Sequence, residues 1–321
     1  MSGRLELLLT IAGKQMLTPD ICGFDLRPDR GEALPPFAPG AHVNVEAPNG
    51  AVRSYSLTNG PADVARYVVA VARARTGRGG SASLVDQTAV GDRLAVSHPI
   101  NSFVLEPADR YLLIAGGIGI TPIRAMFRHL RARRGRVRLM YLTRSPAHTA
   151  YLDELSHAPE VTLHHSTRGR LDLWPVFAEP ADDLHVYCCG PDGLMAEVRA
   201  LTMHWRPSQL HFEAFSGITA VDGTSQAFRV VWQPTGESIE VAAGESLLAA
   251  LRRRGLHPSS SCESGTCGSC RLRLIGGDPE HRDLCLSDHE RRRLVMPCVS
   301  RARGGVLEIG PLVEETENGV R

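Results

Sequence analysis

Four cysteines near the C-terminal end constrain this chain more than any other feature. Cys262, Cys267 and Cys270 stand in SCESGTCGSC, and Cys298 follows in MPCVSRA. The pattern is C-x4-C-x2-C, then 27 intervening residues, then C. Three thiols from one tight loop and a fourth from a distant segment is the ligand spacing of plant-type [2Fe–2S] clusters. Gly265 and Gly268 lie among the first three cysteines, where glycine lets the backbone wrap closely and aim N–H groups at sulfur. A structural zinc site, or a loop of unligated thiols, would use the same residues. Zinc favours paired C-x2-C knuckles, and this stretch holds one.

The remaining cysteines, Cys22, Cys188, Cys189 and Cys285, read as free thiols of a reducing compartment. At 321 residues the chain has room for two or three domains. Its net charge of +1, 43% hydrophobic and 22% charged residues describe an ordinary globular protein without a strong field for nucleic acid or anionic membrane. MSGRLELLLTI lacks a cationic start followed by a clean apolar core, so no signal peptide is expected. No apolar run reaches 18 residues, so no transmembrane helix is expected either, and the expected location is cytoplasmic.

The texture of the chain changes three times. Residues 1–103 carry short strand-like runs broken by Pro and Gly: LELLLTIAG, HVNVEAP, RSYSLTN, YVVAVARA and DRLAVSHP. That pattern predicts an antiparallel β-barrel. Over residues 104–216, YLLIAGG, VRLMYLTR, VTLHHS and LHVYCCG alternate with helical stretches at 122–134, 149–157 and 193–203. Alternation of this kind predicts an α/β domain with a parallel sheet. Residues 217–226 read as a linker. From 227 to 321, strands AFRVVWQ and SIEVAA, helix ESLLAALRRRG, the cysteine loop and strand RLRLIGG predict a small α+β domain.

Two pieces of the first segment suit a phosphorylated planar ligand. Strand alternation puts Arg53, Tyr55 and Leu57 on one face and Ser54 and Ser56 on the other. An arginine can meet phosphate with two parallel hydrogen bonds. Gly77-Arg78-Gly79-Gly80-Ser81 offers free backbone N–H groups ahead of a helix expected to begin at Ser81. An ordinary strand and a loose hairpin remain open for the same residues. In the second segment, strand Tyr111–Ala115 runs into Gly116-Gly117-Ile118-Gly119, with Thr121 as expected N-cap and Pro122 as first helical residue. Such a helix start suits a pyrophosphate. Arg144 and Ser145 end the next strand and are candidate nucleotide contacts by the switch-point rule for open α/β sheets. His164 and His165 alternate across a strand and make a poor metal pair.

Taken in order, RSYSL, GRGGS, GGIGITP, YCCGP, HFEAF and SSCESGTCGSC resemble the phthalate dioxygenase reductase family, within the ferredoxin–NAD(P)+ reductase superfamily, to about residue 310. The resemblance implies a flavin-binding β-barrel, an NAD(P)-binding α/β domain and a C-terminal plant-type ferredoxin (β-grasp) domain. It implies FMN rather than FAD, with Arg53, Gly79, Gly80 and Ser81 at its phosphate, Tyr55 against the ring and Ser56 near N5. Cys189, before Gly190-Pro191, would approach the nicotinamide, and Phe215 would lie where the nicotinamide enters; domain-interface packing is a second role for Phe215. Gly117, Thr121 and Gly190 would sit at the nucleotide, and Cys298 would be the fourth cluster ligand in place of Cys285. The family commonly carries an Asp after the strand matching VTLHH. Here Ser166-Thr167-Arg168 stands instead, which implies NADH use with NADPH tolerated, since a guanidinium suits a 2′-phosphate.

This order of domains implies an electron path from NAD(P)H to FMN to [2Fe–2S] and out to a partner. Hydride transfer needs alignment more than acid–base help, so Ser56 and Cys189 are read as positioning groups. The implied partner is a Rieske-type oxygenase of an aromatic-ring dioxygenase or demethylase system, served by a monomer. A cytochrome P450 partner is the alternative enzyme reading, and a redox sensor the non-enzymatic one. From residue 227 onward, 13 arginines balance 13 acidic residues, which implies docking with little salt dependence.

Overall fold

Strand β1 (Leu5–Thr18) is the spine of the first segment. It pairs antiparallel with β2 (Ile21–Arg27) on one side and, through its first half, with the later strand Arg93–Ser97 on the other, with register shifts near Gly13 that bend it around the core. The computed structural model describes residues 5–74, 79–215, 225–260, 263, 265, 268–283 and 285–312. Most of the expected linker 217–226, together with Cys262, Cys267, Gly77 and Arg78, lies outside them.

Strands β3 (His42–Glu46), β4 (Val52–Ser56) and β5 (Tyr67–Ala72), helix α1 (Gly80–Asp86) and strand β6 (Arg93–Ser97) complete this part. The strand order is β4-β3-β6-β1-β2-β5, and an antiparallel bridge between Leu57 and Val69 joins the two ends into a barrel. Inward residues alternate along the strands: Leu9, Ile11, Phe24, Leu26, Val43, Val45, Val69 and Val71 are all buried. Each contributes about 1.5–3 kcal/mol from burial.

Then come β7 (Arg110–Gly116), α2 (Ile120–Ala132), β8 (Arg136–Thr143), α3 (Leu152–Ser156), β9 (Val161–His165), α4 (Trp174–Phe177), β10 (Leu184–Cys189), α5 (Asp192–Leu201) and β11 (Leu210–Glu213). The five strands are parallel in the order β11-β10-β7-β8-β9. Central strand β7 reads RYLLIAG because both its faces are covered. Cys188 packs with Phe177, Met195 and Trp205 on one face, while Cys189 joins Tyr187, Ile120 and Met126 on the other. Barrel and α/β sheet form one compact unit, with Ile21 and Ala70 of the barrel sharing a core with α2 and β7.

The second unit runs from residue 217 onward. Its elements are β12 (Phe228–Trp232), β13 (Glu237–Val241), α6 (Leu247–Arg253), β14 (Leu272–Gly276), β15 (Pro279–Glu280), α7 (Asp288–Arg291), β16 (Leu294–Val295), β17 (Arg301–Ala302) and β18 (Val306–Gly310). The main sheet has the order β13-β12-β18-β14-β16, with β18 parallel to β12. Helix α6 buries Leu247, Leu248, Ala250 and Leu251 and is capped by Ser246, whose Oγ accepts from the Ala249 N–H at 3.1 Å.

Candidate functional site

At the flavin-candidate end of the barrel, β4 pairs with β3 so that Ser56 faces His42, Tyr55 faces Val43 and Arg53 faces Val45. Ser56 is buried. The Tyr55 hydroxyl is also buried and has no hydrogen-bond partner among the described residues. Burial pushes the Tyr55 hydroxyl up to about 12, against the opposing pull of Arg53. Helix α1 begins at Gly80, one residue before the sequence expectation, because Gly79 adopts the left-handed conformation (φ 74°) and turns the chain into it. A Cβ on Gly80 would lie 3.2 Å from Arg53 Cγ and Nε, so the arginine lies across the first turn of the helix. Ser81 Oγ accepts from the Ala74 N–H at 3.1 Å. At the far end of α1, Lys14 Nζ donates to the carbonyls of Val85 (2.7 Å) and Thr88 (2.5 Å), a cation at the negative end of the helix. A guanidinium beside a helix start, and a buried tyrosine hydroxyl without a partner among the described residues, fit a phosphorylated isoalloxazine.

The nucleotide candidates gather at the carboxyl ends of the parallel strands. Chain order reverses between β7 and β10, which makes the crevice after Gly116 and Cys189 the switch point. Gly117 opens a 3-10 turn over Gly117–Gly119 in the left-handed region (φ 52°), and Gly190 lies across from Gly116. A Cβ on Gly119 would overlap the Cys189 carbonyl, so the two turns interlock only with glycine there. The turn also packs against barrel strand β5. Thr121 is not the N-cap: α2 starts at Ile120 with Gly119 as cap, and the Thr121 hydroxyl donates to the Ile118 carbonyl at 3.0 Å. The 3-10 turn feeds directly into the helix, which moves its start two residues ahead of Pro122. Arg144 is exposed just beyond β8, and Ser145 Oγ contacts His148 Nδ1 at 2.9 Å. Thr167 N–H donates to the Arg144 carbonyl at 3.2 Å, so the loops after β8 and β9 lie side by side.

Sequence reasoning missed Glu213. It faces Cys189 across the β10–β11 pair. Its Oε2 is buried with no partner among the described residues, and burial pushes its carboxyl up to about 8. The Cys189 thiol is fully buried and driven well above its ordinary range by desolvation and then by Glu213. Both groups are therefore neutral near pH 7, fit to donate hydrogen bonds and unfit as nucleophile or base. One repeat down the strands, His211 stacks on Tyr187 (4.2 Å between ring centres), and its Nε2 lies 3.1 Å from His185 Nδ1. Phe215, just past β11, is 41% exposed. The readable signal for Glu213 was HFEAF itself, in which an acid sits at an inward strand position.

In the second unit, Cys270 and Cys298 are both buried thiols in one apolar cluster with Leu248, Leu286, Met296 and Val299. Cys285 packs at the edge of that cluster and is partly exposed. Gly265 and Gly268 both take the left-handed conformation a tight loop demands (φ 76° and 74°). Two unbridged, buried thiols against such a loop fit thiolate ligation of a cluster.

Residues 230–303 match the 2Fe-2S iron-sulfur cluster binding domain, and residues 113–183 match the oxidoreductase NAD-binding domain. Over 307 residues the chain is 45% identical to the phthalate 4,5-dioxygenase oxygenase reductase subunit of Pseudomonas putida, covering 93% of this chain and 95% of that one. The chain belongs to the phthalate dioxygenase reductase family. Another member, phthalate dioxygenase reductase of Burkholderia cepacia, is 44% identical over 309 residues, or 94% of this chain and 96% of that one. A solved phthalate dioxygenase reductase, described as a modular structure for electron transfer from pyridine nucleotides to [2Fe–2S], superposes with a TM-score of 0.76 at 44% identity, covering 95% and 97%. The resemblance and the three-part fold expected from the motifs are thus borne out. The chain is an oxidoreductase of this family, with an NAD-binding sheet and a [2Fe–2S] domain. Among the described residues no helix is long and apolar enough to cross a membrane.

Proposed function

We propose that this chain is the reductase of a two-component oxygenase system, moving electrons from NADH through FMN and the [2Fe–2S] cluster to a Rieske-type oxygenase that acts on an aromatic ring. It works as a cytoplasmic monomer, with residues 1–103 for FMN, 104–216 for the nucleotide, 217–226 as linker and 227–321 for the cluster. One observation carries this reading: barrel strand β5 packs against both β4 and the Gly117–Gly119 turn, so the flavin strand and the nucleotide crevice are neighbours within one unit. Relatives named for dioxygenase systems favour an oxygenase over a cytochrome P450 as acceptor.

When bound, FMN accepts electrons in pairs and releases them singly, the conversion a hydride donor and a one-electron cluster require. The chain's own residues do the rest. Arg53 with Gly79, Gly80 and Ser81 would hold the phosphate, with Tyr55 against the flavin and Ser56 near its N5. Gly117, Thr121, Arg144, Ser145 and Gly190 would bind the nucleotide, and Phe215 would lie where the nicotinamide enters. Cys189 and Glu213 align the nicotinamide as neutral donors. Cys262, Cys267, Cys270 and Cys298 ligate the cluster. Absorption spectroscopy with flavin and iron analysis tests the scheme: one FMN and two iron atoms per chain are expected, with rapid reduction of cytochrome c by NADH. Colourless protein prepared without air would end it.

A further inference from the structure

Arg124 lies one turn past the glycine turn of α2 and is buried, whereas Arg128 and Arg131 of the same helix are exposed. Its Nη1 donates to the Thr58 carbonyl at 2.7 Å. Its Nε donates to Glu154 Oε2 at 3.0 Å, and Nη2 reaches the same oxygen. Its Cζ lies over the Tyr151 ring, 4.1 Å from the ring centre. Tyr151 is itself held in the left-handed region (φ 59°), with its hydroxyl 3.4 Å from Thr58 Oγ1. Thr58 stands two residues past Ser56 and is bonded across the barrel seam to the Val68 carbonyl, through N–H at 2.8 Å and Oγ1 at 3.1 Å.

One guanidinium thus ties the nucleotide-binding helix, helix α3 and the end of the flavin strand together. An apolar side chain could fill this space without the desolvation a buried cation suffers. What an apolar side chain could not do is fix a direction, and the rigid fork of arginine does so on three sides. We propose that Arg124 is a positioning residue for hydride transfer. It acts through Thr58 on Ser56 and sets the spacing between the nicotinamide crevice and the flavin strand. The proposal rests on the NADH-to-FMN reading above. A displacement of about 1 Å between reacting groups can cost on the order of a hundredfold in rate, so a fixed strut between the two binding elements has a measurable consequence.

The test is stopped-flow reduction of flavin- and iron-loaded Arg124→Met and Arg124→Lys by NADH. In Arg124→Met the limiting rate at saturating NADH falls about tenfold or more, while the NADH Kd changes by less than about threefold. The isotope effect with NADH deuterated at C4 rises, hydrogen exchange in the segment 53–60 quickens, and Arg124→Lys recovers part of the rate. A fall of less than about fivefold overturns the proposal. So does a loss confined to Tm or Kd with isotope effect and exchange unmoved, since Arg124 would then only pack. If Arg124→Met does not fold, Glu154→Gln loosens the same guanidinium and is judged by the same criteria. Wild-type protein that NADH fails to bleach would overturn the underlying reading as well; a bleaching wild type beside an unaffected variant overturns this proposal alone.

Discussion

Cys189 and Glu213 face each other on neighbouring parallel strands, and burial holds both in their neutral forms. A thiol and a carboxylic acid, each a donor, therefore line the inward face of the sheet just below the CGP turn.

The neutral carboxyl makes stability depend on pH. Below its ordinary value of 4.5, Glu213 is protonated in folded and unfolded chains alike. Between 4.5 and about 8 the unfolded chain ionises and the folded one does not, so stability falls as pH rises through this window. Above it both forms are ionised and the slope ends. Glu213→Gln should flatten the decline of Tm between pH 5.5 and 8 and leave the protein more stable than wild type at pH 8. An unchanged profile would mean that Glu213 ionises freely.

His211 acts in the opposite direction. Burial, and then His185, lower it from 6.5 to about 4. The folded chain therefore binds fewer protons than the unfolded one between these values, and stability is lost as pH falls through them. His211→Phe, which keeps a ring on Tyr187, should hold Tm more nearly constant from pH 6.5 to 4.5. If the variant melts in acid as wild type does, other groups govern that limb.

The cysteine pocket sets the proposed fourth ligand apart from Cys285. Cys298 and Cys270 are 3% and 2% exposed in one apolar cluster, while Cys285 sits at its rim. Cys298→Ser should purify with most of its iron and its red-brown absorbance lost, whereas Cys285→Ser should keep both. Iron content in the reverse order would assign the fourth ligand to Cys285.

Legibility followed local pattern. Periodicity exposed the barrel strands and the β7-to-β10 alternation, and cysteine spacing exposed the C-terminal domain. Strand β1 was cut short at Gly13 in the sequence because glycine signals a turn, yet here a bulge carries the strand on to Thr18. Strand β2, ICGFDLR, has no apolar run to announce it, and its pairing partners supply the order. Strand β18, VLEIG, is not among the strands read from the sequence, yet it is the middle of its sheet, flanked by β12 and β14 from far along the chain. Glu213 escaped for a related reason. Composition assigns an acid to the surface; the alternation in HFEAF puts this one on a strand face, and the pairing of β11 with β10 shows that the face is covered.

The proposed phosphate cradle predicts an effect of a single methyl group. A Cβ on Gly80 would stand 3.1 Å from Ala51 Cβ and 3.2 Å from Arg53 Cγ and Nε. Arg53 is the longer of the two side chains in the way, so the added methyl must shift it, and the shift moves the guanidinium relative to the helix start. Gly80→Ala should therefore fold with Tm little changed but bind FMN about tenfold more weakly, as expected for a lost charge-assisted contact. Recovery of flavin fluorescence on dilution measures this. Unaltered FMN affinity would show that Arg53 does not reach the phosphate.

A further prediction concerns the loop after β9 and nucleotide choice. Arg168 is exposed there, next to Ser166 and Thr167, and Thr167 binds the Arg144 carbonyl, which brings two arginine-bearing loops to one end of the sheet. No carboxylate occurs in the run from Val161 to Arg170 to pair with a ribose diol or repel a 2′-phosphate. The ratio of kcat/KM for NADH over NADPH should consequently stay below about a hundredfold, less than a site with a dedicated acid would give. Arg168→Ala should lower kcat/KM for NADPH about tenfold and leave that for NADH within about twofold, because only the 2′-phosphate distinguishes the two ligands. Arg168→Asp should go further and all but abolish NADPH use. Equal losses with both nucleotides would place Arg168 at the shared pyrophosphate instead, and a wild-type preference for NADH above a hundredfold would mean that the missing acid is supplied from elsewhere in the sheet.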